Sequence, residues 1–322
     1  MSYKKVGILW GGGLGDLLMI RPLIQALHKN GAGVTFISSA KHATHLFPIF
    51  CDNAEQILLP DKVLSQISFI KQLHNRFDLI YIGPYPTILT QIYARLISRH
   101  VWHRLHNKAQ EFVMEQVLSD IEAMGLEQPT EKALFVNSLP WSLIDRDEYS
   151  KEPYYVIHPG AKPGWVTKQW PIKKWSALIN ALLDNKGCQI YITGVKDEST
   201  LINKIISGVD KDKQINIKAL LSTSLDSLAQ AIHSSHGVIC HNSGVMNLAI
   251  LLKKKTVVLN GSSANYWRAP YPWVLNLTSG KCNIACNQYR CPIPSFDAKC
   301  IKALQPEDVY RATMQHFINP VD

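Results

Sequence analysis

No run of about 20 consecutive apolar residues occurs in the chain, so a membrane-spanning helix is not expected. The opening residues, MSYKKVGILW, enter a strand pattern directly. They lack the apolar stretch and cleavage site of a secretory signal, and a cytoplasmic protein is the expectation. Low-complexity tracts and repeats of solenoid period are also missing, which excludes a disordered chain and a stacked-repeat architecture. Acidic residues are in deficit: 25 Asp and Glu against 34 Lys and Arg leave a net charge of +9. That balance suits an acidic small substrate, nucleic acid or an anionic membrane face. The surplus is spread out. Its densest run, Lys253–Lys255, is expected as a solvated turn between a helix and a strand. Because no nucleic-acid motif accompanies it, nucleic acid is not an expected partner.

What is present is a large apolar fraction, 46% of 322 residues, enough for two domains with cores of their own. Runs rich in Val, Ile, Leu and Tyr alternate with segments of helical period, the pattern of βαβ units and parallel sheets. In the first half the strand candidates are KVGILW, GVTFISS, EQILLP and DLIYIG. A long helix is expected from Asn107 to Met124. The stretch NSLPWSLIDRDEYSKEP has no period and reads as a linker. The pattern then restarts with YYVIHPG, CQIYITG, INIKAL, GVICHNSG and KTVVLNG, and a final helix is expected over Pro306–Phe317. The expectation is an α/β protein of two doubly wound, Rossmann-like domains, residues 1–150 and 151–322. Ligands of such sheets bind at the carboxyl ends of strands, at topological switch points, which predicts a site facing the cleft between the domains.

Three strand-to-helix turns carry chemistry. In GGGLGD, Gly11 and Gly13 fit a dinucleotide fingerprint, but Asp16 stands where the third glycine belongs. The second strand also ends without the acid that would bind ribose, and there is no Gly-Lys-Ser/Thr phosphate loop. A carboxylate there either caps a helix N-terminus or faces a cleft that the glycines open to a close approach. In HPGAKPGWVTKQWPIKKW, a strand gives way to a basic loop with Thr167 and Lys168 just before a helix opening near Pro171. Hydroxyl, ammonium and free helix N–H groups together suit a pyrophosphate, and the tryptophans at 165, 170 and 175 are expected to pack or stack. In CHNSGVMNLAILL, Ser243 and Gly244 stand at a third such turn, able to hold a second part of the same anion.

Over essentially its whole length the chain resembles the lipopolysaccharide heptosyltransferases, glycosyltransferase family nine. The three turns and the segment CNIACNQYRCPIPSFDAKCIKALQPEDV, in that order, carry the resemblance. It implies a GT-B fold and inverting transfer of a heptose from ADP-heptose to a hydroxyl of a lipopolysaccharide core or related glycan. It implies no cofactor for catalysis. By match to the family's motifs, Asp16 is the expected base and Lys168 the contact to the donor phosphates. Gly13, Thr167, Asn242, Ser243, Gly244, Val245 and Asn247 complete the expected donor contacts. The family commonly has an aspartate and a histidine where this chain has Asn242 and Asn247, which leaves open a different nucleotide sugar, an epimerase or a non-catalytic nucleotide-sugar binder. The implied partners are an ADP-sugar and an acidic or lipid-linked acceptor, with peripheral contact to the inner membrane compatible with the +9 charge.

Seven cysteines remain to be placed. Cys51, Cys188 and Cys240 lie in apolar contexts and are expected as small buried hydrophobes. Cys282, Cys286, Cys291 and Cys300 crowd together without clean C-x2-C pairs. Four free thiols, or a structural zinc or iron held by four thiolates, are both open, whereas a cytoplasmic setting argues against two disulfides.

Overall fold

The computed structural model describes residues 3–9, 14–38, 54–60, 62–83, 87–103, 111–130, 134–136, 152–161, 164–185, 187–263, 265–282 and 286–318. Gly11, Gly13 and Cys51 lie outside them, as does most of the expected linker. The chain forms two compact units, Met1–Leu139 and Pro140–Asp322. The sequence put the boundary near residue 150, and the residues between the two positions lie outside the described ones.

In the first unit the order is β1 (Lys5–Leu9), α1 (Leu14–Met19), α2 (Arg21–Lys29), β2 (Gly33–Ser38), β3 (Glu55–Leu58), α3 (Val63–Gln72), β4 (Leu79–Ile82), α4 (Ile88–Ile97), β5 (Val101–His103) and α5 (Val113–Ala123). Its sheet runs β3-β2-β1-β4-β5, and every pairing is parallel. Strands buried on both faces read as nearly continuous apolar runs, and β4, Leu-Ile-Tyr-Ile, is buried at every position. The strand order reverses between β1 and β4, so the switch point is the carboxyl end of β1, just before α1. Helix α2 starts with proline at its first turn and turns Leu23, Ile24, Ala26 and Leu27 inward. The expected long helix is shorter: Glu111 bends and Phe112, buried and extended, precedes a start at Val113.

The second unit comprises β6 (Tyr154–His158), α6 (Ile172–Leu183), β7 (Gln189–Gly194), α7 (Ser199–Ser207), β8 (Ile217–Leu221), α8 (Leu225–Ser234), β9 (Gly237–His241), α9 (Gly244–Leu251), β10 (Thr256–Leu259), β11 (Val274–Leu277), α10 (Lys299–Lys302) and α11 (Pro306–Ile318). The sheet order is β11-β10-β9-β6-β7-β8, again all parallel. Here the order reverses between β6 and β9, whose carboxyl ends lie side by side: His158, the last residue of β6, pairs with Cys240, one before the end of β9. The loops after these two strands therefore leave the sheet next to one another. Trp175 on α6 is fully buried and meets Trp170 edge-on at 5.1 Å, within the core of Ile157, Ile179, Ile192 and Ile239. Truncating a tryptophan so buried costs about 3–5 kcal/mol.

Lys254 and Lys255 are not the solvated pair the sequence suggested. Their ammonium groups donate to the carbonyls of Ser235 and Phe317, each at 2.8 Å, near the ends of α8 and α11. Cations there satisfy carbonyls that a helix terminus leaves unpaired. Cys188 and Cys240 are buried as expected, and burial pushes the Cys188 thiol up to about 11 and Cys240 higher still. Among the described residues no helix is long and apolar enough to cross a membrane.

Candidate active site

Asp16 is the third residue of α1, half-buried, in the first turn rather than at the cap. A carboxylate there is favoured by the positive end of the helix. Gly15 precedes it within the helix, and Gly11, Gly12 and Gly13 lie outside the described residues.

In the second unit three loops meet at the carboxyl ends of β6, β9 and β10. His241, the last residue of β9, joins the first two. It is wholly buried, its Nε2 accepts the Trp170 N–H at 3.1 Å, and its Nδ1–H donates to the Gly160 carbonyl at 3.4 Å. One nitrogen accepts and the other donates, so the ring must be neutral. Burial lowers its pKa to about 3, and the nearby charges of His158 and Lys168 act in the same direction. His158 similarly donates from Nδ1 to the Thr193 carbonyl at 3.0 Å. These are holding interactions, made by histidines that the sequence did not single out.

Lys168 ends the 3-10 turn Val166–Lys168 and is 8% exposed. Its Nζ lies 4.0 Å from the Trp165 ring centroid, so the ammonium of this buried side chain rests on a π face. Thr167 beside it is 1% exposed. Its hydroxyl lies 2.7 Å from the Ser262 hydroxyl and also donates to the Gln288 carbonyl, tying the loop after β6 to the loop after β10 and to the cysteine segment. Gly261 fits the same junction, because a Cβ there would collide with the Thr167 carbonyl.

At the third turn Ser243 holds the N-cap position of α9 with extended backbone, and its side chain makes no capping bond. Its hydroxyl is buried with no hydrogen-bond partner among the described residues, and so is the Asn247 side-chain oxygen one turn on. Gly244 and Val245 form the intervening first turn. Buried polar atoms left without partners in a native fold call for an explanation, and a ligand is one. The N–H groups of a helix's first turn likewise lack intrahelical partners. Asn242 differs: its amide donates to the Trp267 carbonyl at 3.0 Å and pins the 265–267 turn. Next to that carbonyl is Arg268, half-buried, with a buried Nε that has no partner among the described residues. Arg268, a lone arginine in a loop after a strand, carries little signal in the sequence.

Cys282, Cys286, Cys291 and Cys300 line one small cavity, together with Thr167, Phe296 and Lys299. All four are free thiols, and burial, reinforced by the other three sulfurs, raises Cys300 to about 11. Among the described residues no group of three or more His, Cys, Asp or Glu side chains is arranged to hold a metal ion. The thiols converge without being drawn into a ligating set.

Comparison with known proteins matches this geometry to a family. The sequence profile of "Glycosyltransferase family 9 (heptosyltransferase)" matches residues 93–295, more than half of the chain. The lipooligosaccharide heptosyltransferase 2 of Campylobacter jejuni serotype O:6 is 30% identical over 312 residues, 92% of this chain and 94% of that one. Among solved structures, Escherichia coli ADP-heptose LPS heptosyltransferase II superposes with a TM-score of 0.71 at 18% identity, covering 98% of each chain. The iron-containing heptosyltransferase TibC of enterotoxigenic E. coli, solved with ADP-D-β-D-heptose, gives 0.59 at 13% identity over 98% of this chain and 77% of that one. The two Rossmann-like units are thus the α/β fold of GT-B heptosyltransferases, and the chain belongs to glycosyltransferase family 9.

Proposed function

We propose that this glycosyltransferase moves a heptose from ADP-heptose to a hydroxyl of a lipopolysaccharide core or a related acidic, lipid-linked glycan, with inversion and without a catalytic metal. The observation that carries the reading is a pair of buried atoms without partners among the described residues, Ser243 Oγ and Asn247 Oδ1, at the start of α9 beside the Lys168 loop. A donor held there would satisfy them. In the step itself the acceptor hydroxyl oxygen bonds to the anomeric carbon, the bond from that carbon to the diphosphate breaks, and the hydroxyl proton passes to Asp16. A positioned carboxylate makes a poor nucleophile competent. Charge gathers on the departing ADP, where Lys168, the α9 N-terminus and Arg268 offer positive potential in a water-poor setting. The nucleotide-sugar donors of the E. coli relatives support the choice of ADP-heptose.

A second reading, transfer from another nucleotide sugar, draws on Asn242. Its amide is committed to Trp267, where the family commonly has an aspartate. Calorimetric titration with ADP-, GDP- and UDP-sugars, followed by transfer to a truncated core acceptor, separates the two. Tightest binding of ADP-heptose is expected; a preference for another nucleotide would overturn the first reading, and failure to bind any nucleoside diphosphate would overturn both.

The protein is read as cytoplasmic with peripheral contact to the inner membrane. Helix α4 supports this, presenting Ile88, Ile92 and Leu96, 79%, 48% and 40% exposed, at one-turn spacing beside exposed Arg95 and Arg99. Sedimentation with anionic vesicles, but not neutral ones, is the expected result. A structural zinc or iron at Cys282, Cys286, Cys291 and Cys300 is read from their shared cavity and from the iron of TibC. It requires thiolates that burial opposes at Cys300, and elemental analysis of purified protein with less than one metal per chain would overturn it.

A further inference from the structure

The cysteine segment supplies no group to the transfer step, yet it is bonded at three successive residues to the neighbourhood of Lys168. These three, Asn287, Gln288 and Tyr289, lie between Cys286 and Cys291. The Asn287 N–H donates to the Ser262 carbonyl at 2.7 Å. The Gln288 carbonyl accepts the Thr167 hydroxyl. Tyr289 stacks on Trp165, with ring centroids 4.3 Å apart and planes 28° from parallel. Trp165 is held a second time by its indole N–H, which donates to Ser262 Oγ at 3.3 Å. This is the indole on which the Lys168 ammonium rests.

A lysine ammonium sits at the end of a four-carbon stem with many rotamers, and fixing it in a pocket takes a surface that prefers it in one place. The Trp165 face is such a surface, but only while the indole is itself fixed. Tyr289 is 44% exposed, and its ring stacks on that indole all the same. We propose that Tyr289 is a positioning residue: through Trp165 it holds the Lys168 ammonium where the leaving diphosphate of the donor must lie. On this account the cysteine segment is the back wall of the phosphate site, with its thiol-lined cavity behind Thr167. The proposal rests on the reading of Lys168 as the diphosphate contact.

The test compares calorimetric affinities for ADP and for adenosine, which has no phosphate, in the full chain and in Tyr289→Ala, Tyr289→Phe, Lys168→Met and the Tyr289→Ala/Lys168→Met double variant. Tyr289→Ala is expected to weaken ADP about tenfold, the size of one buried cation–π contact, while adenosine is unaffected. Tyr289→Phe, which keeps the stack, is expected to bind ADP as the unmodified protein does. In the Lys168→Met background the Tyr289→Ala change should have no further effect. Equal loss of ADP and adenosine in Tyr289→Ala, or full additivity in the double variant, overturns the positioning role. Unchanged ADP affinity in Lys168→Met alone overturns the underlying assignment of Lys168, a result read without reference to Tyr289.

Discussion

The turn after β1 and the turn after β6 occupy the same place in two sheets of the same design, and they are built for opposite charges. Each follows a buried parallel strand beside the point where strand order reverses, and each leads into a helix. The first presents a carboxylate in a helical first turn, Asp16. The second presents an ammonium on an indole, Lys168, braced by residues from two other loops. A repeated topology therefore fixes where a site can be, and the side chains at its loops decide what the site does.

Exchanging charges breaks the comparison most severely. Asp16→Asn is expected to reduce transfer about 100- to 10,000-fold, the worth of a general base, with ADP affinity unchanged in calorimetry. An Asp16→Asn protein of full activity would remove Asp16 from the chemistry. Lys168→Met should act on the other side of the same contrast, lowering the rate about 100- to 1,000-fold and weakening ADP as well. If both variants lost only turnover, the two loops would not divide the labour as argued.

The bracing of the second loop predicts a stability effect. Gly261→Ala puts a methyl group against the Thr167 carbonyl, a backbone atom that cannot swing away. A loss of about 1–3 kcal/mol in denaturant unfolding is expected; an unperturbed midpoint would show that the junction yields.

A smaller, graded effect comes from His241. Its folded pKa lies near 3 and its ordinary value is 6.5, so on acidification the unfolded chain takes up a proton that the folded chain refuses. This contribution is complete above pH 6.5 and erodes as pH falls toward 3. The slope is at most about 1.4 kcal/mol per pH unit. Burial lowers His28, His233 and His316 in the same direction. Urea unfolding between about pH 7 and pH 5 should show the decline, and His241→Gln should flatten it. A slope that survives the substitution would assign it to the other histidines.

Much of the fold was legible because parallel sheets leave a plain signature: apolar runs, helical stretches and a restart at the second unit. The short elements were harder. β5 has three residues and β11 only Val274 fully inside, so neither stands out from its surroundings. The start of α5 was misplaced because NKAQEF has helical composition, while buried Phe112 holds extended backbone just before the helix. At the site, the three turns could be picked out singly from glycine, lysine and serine signals. What ties together the loops of the second unit could not. Thr167 meets Gln288 across 121 residues and His241 meets Trp170 across 71, contacts that only the strand order determines.

That strand order also shapes how the chain reaches its native state. Every pairing among the described strands is parallel, so none closes through a hairpin. Val6 must find Leu79 and Tyr155 must find Gly237, the two pairings at the switch points of the sheets. Distant partners of this kind slow folding, since much chain must be gathered before the contact gives anything back. On the ribosome the first sheet can be complete while the second is still being made, because β1 to β5 emerge before β6. The pairings that set the site loops side by side gather the longest stretches of chain, so a folding intermediate with helices formed and those strands unjoined would have no site at all.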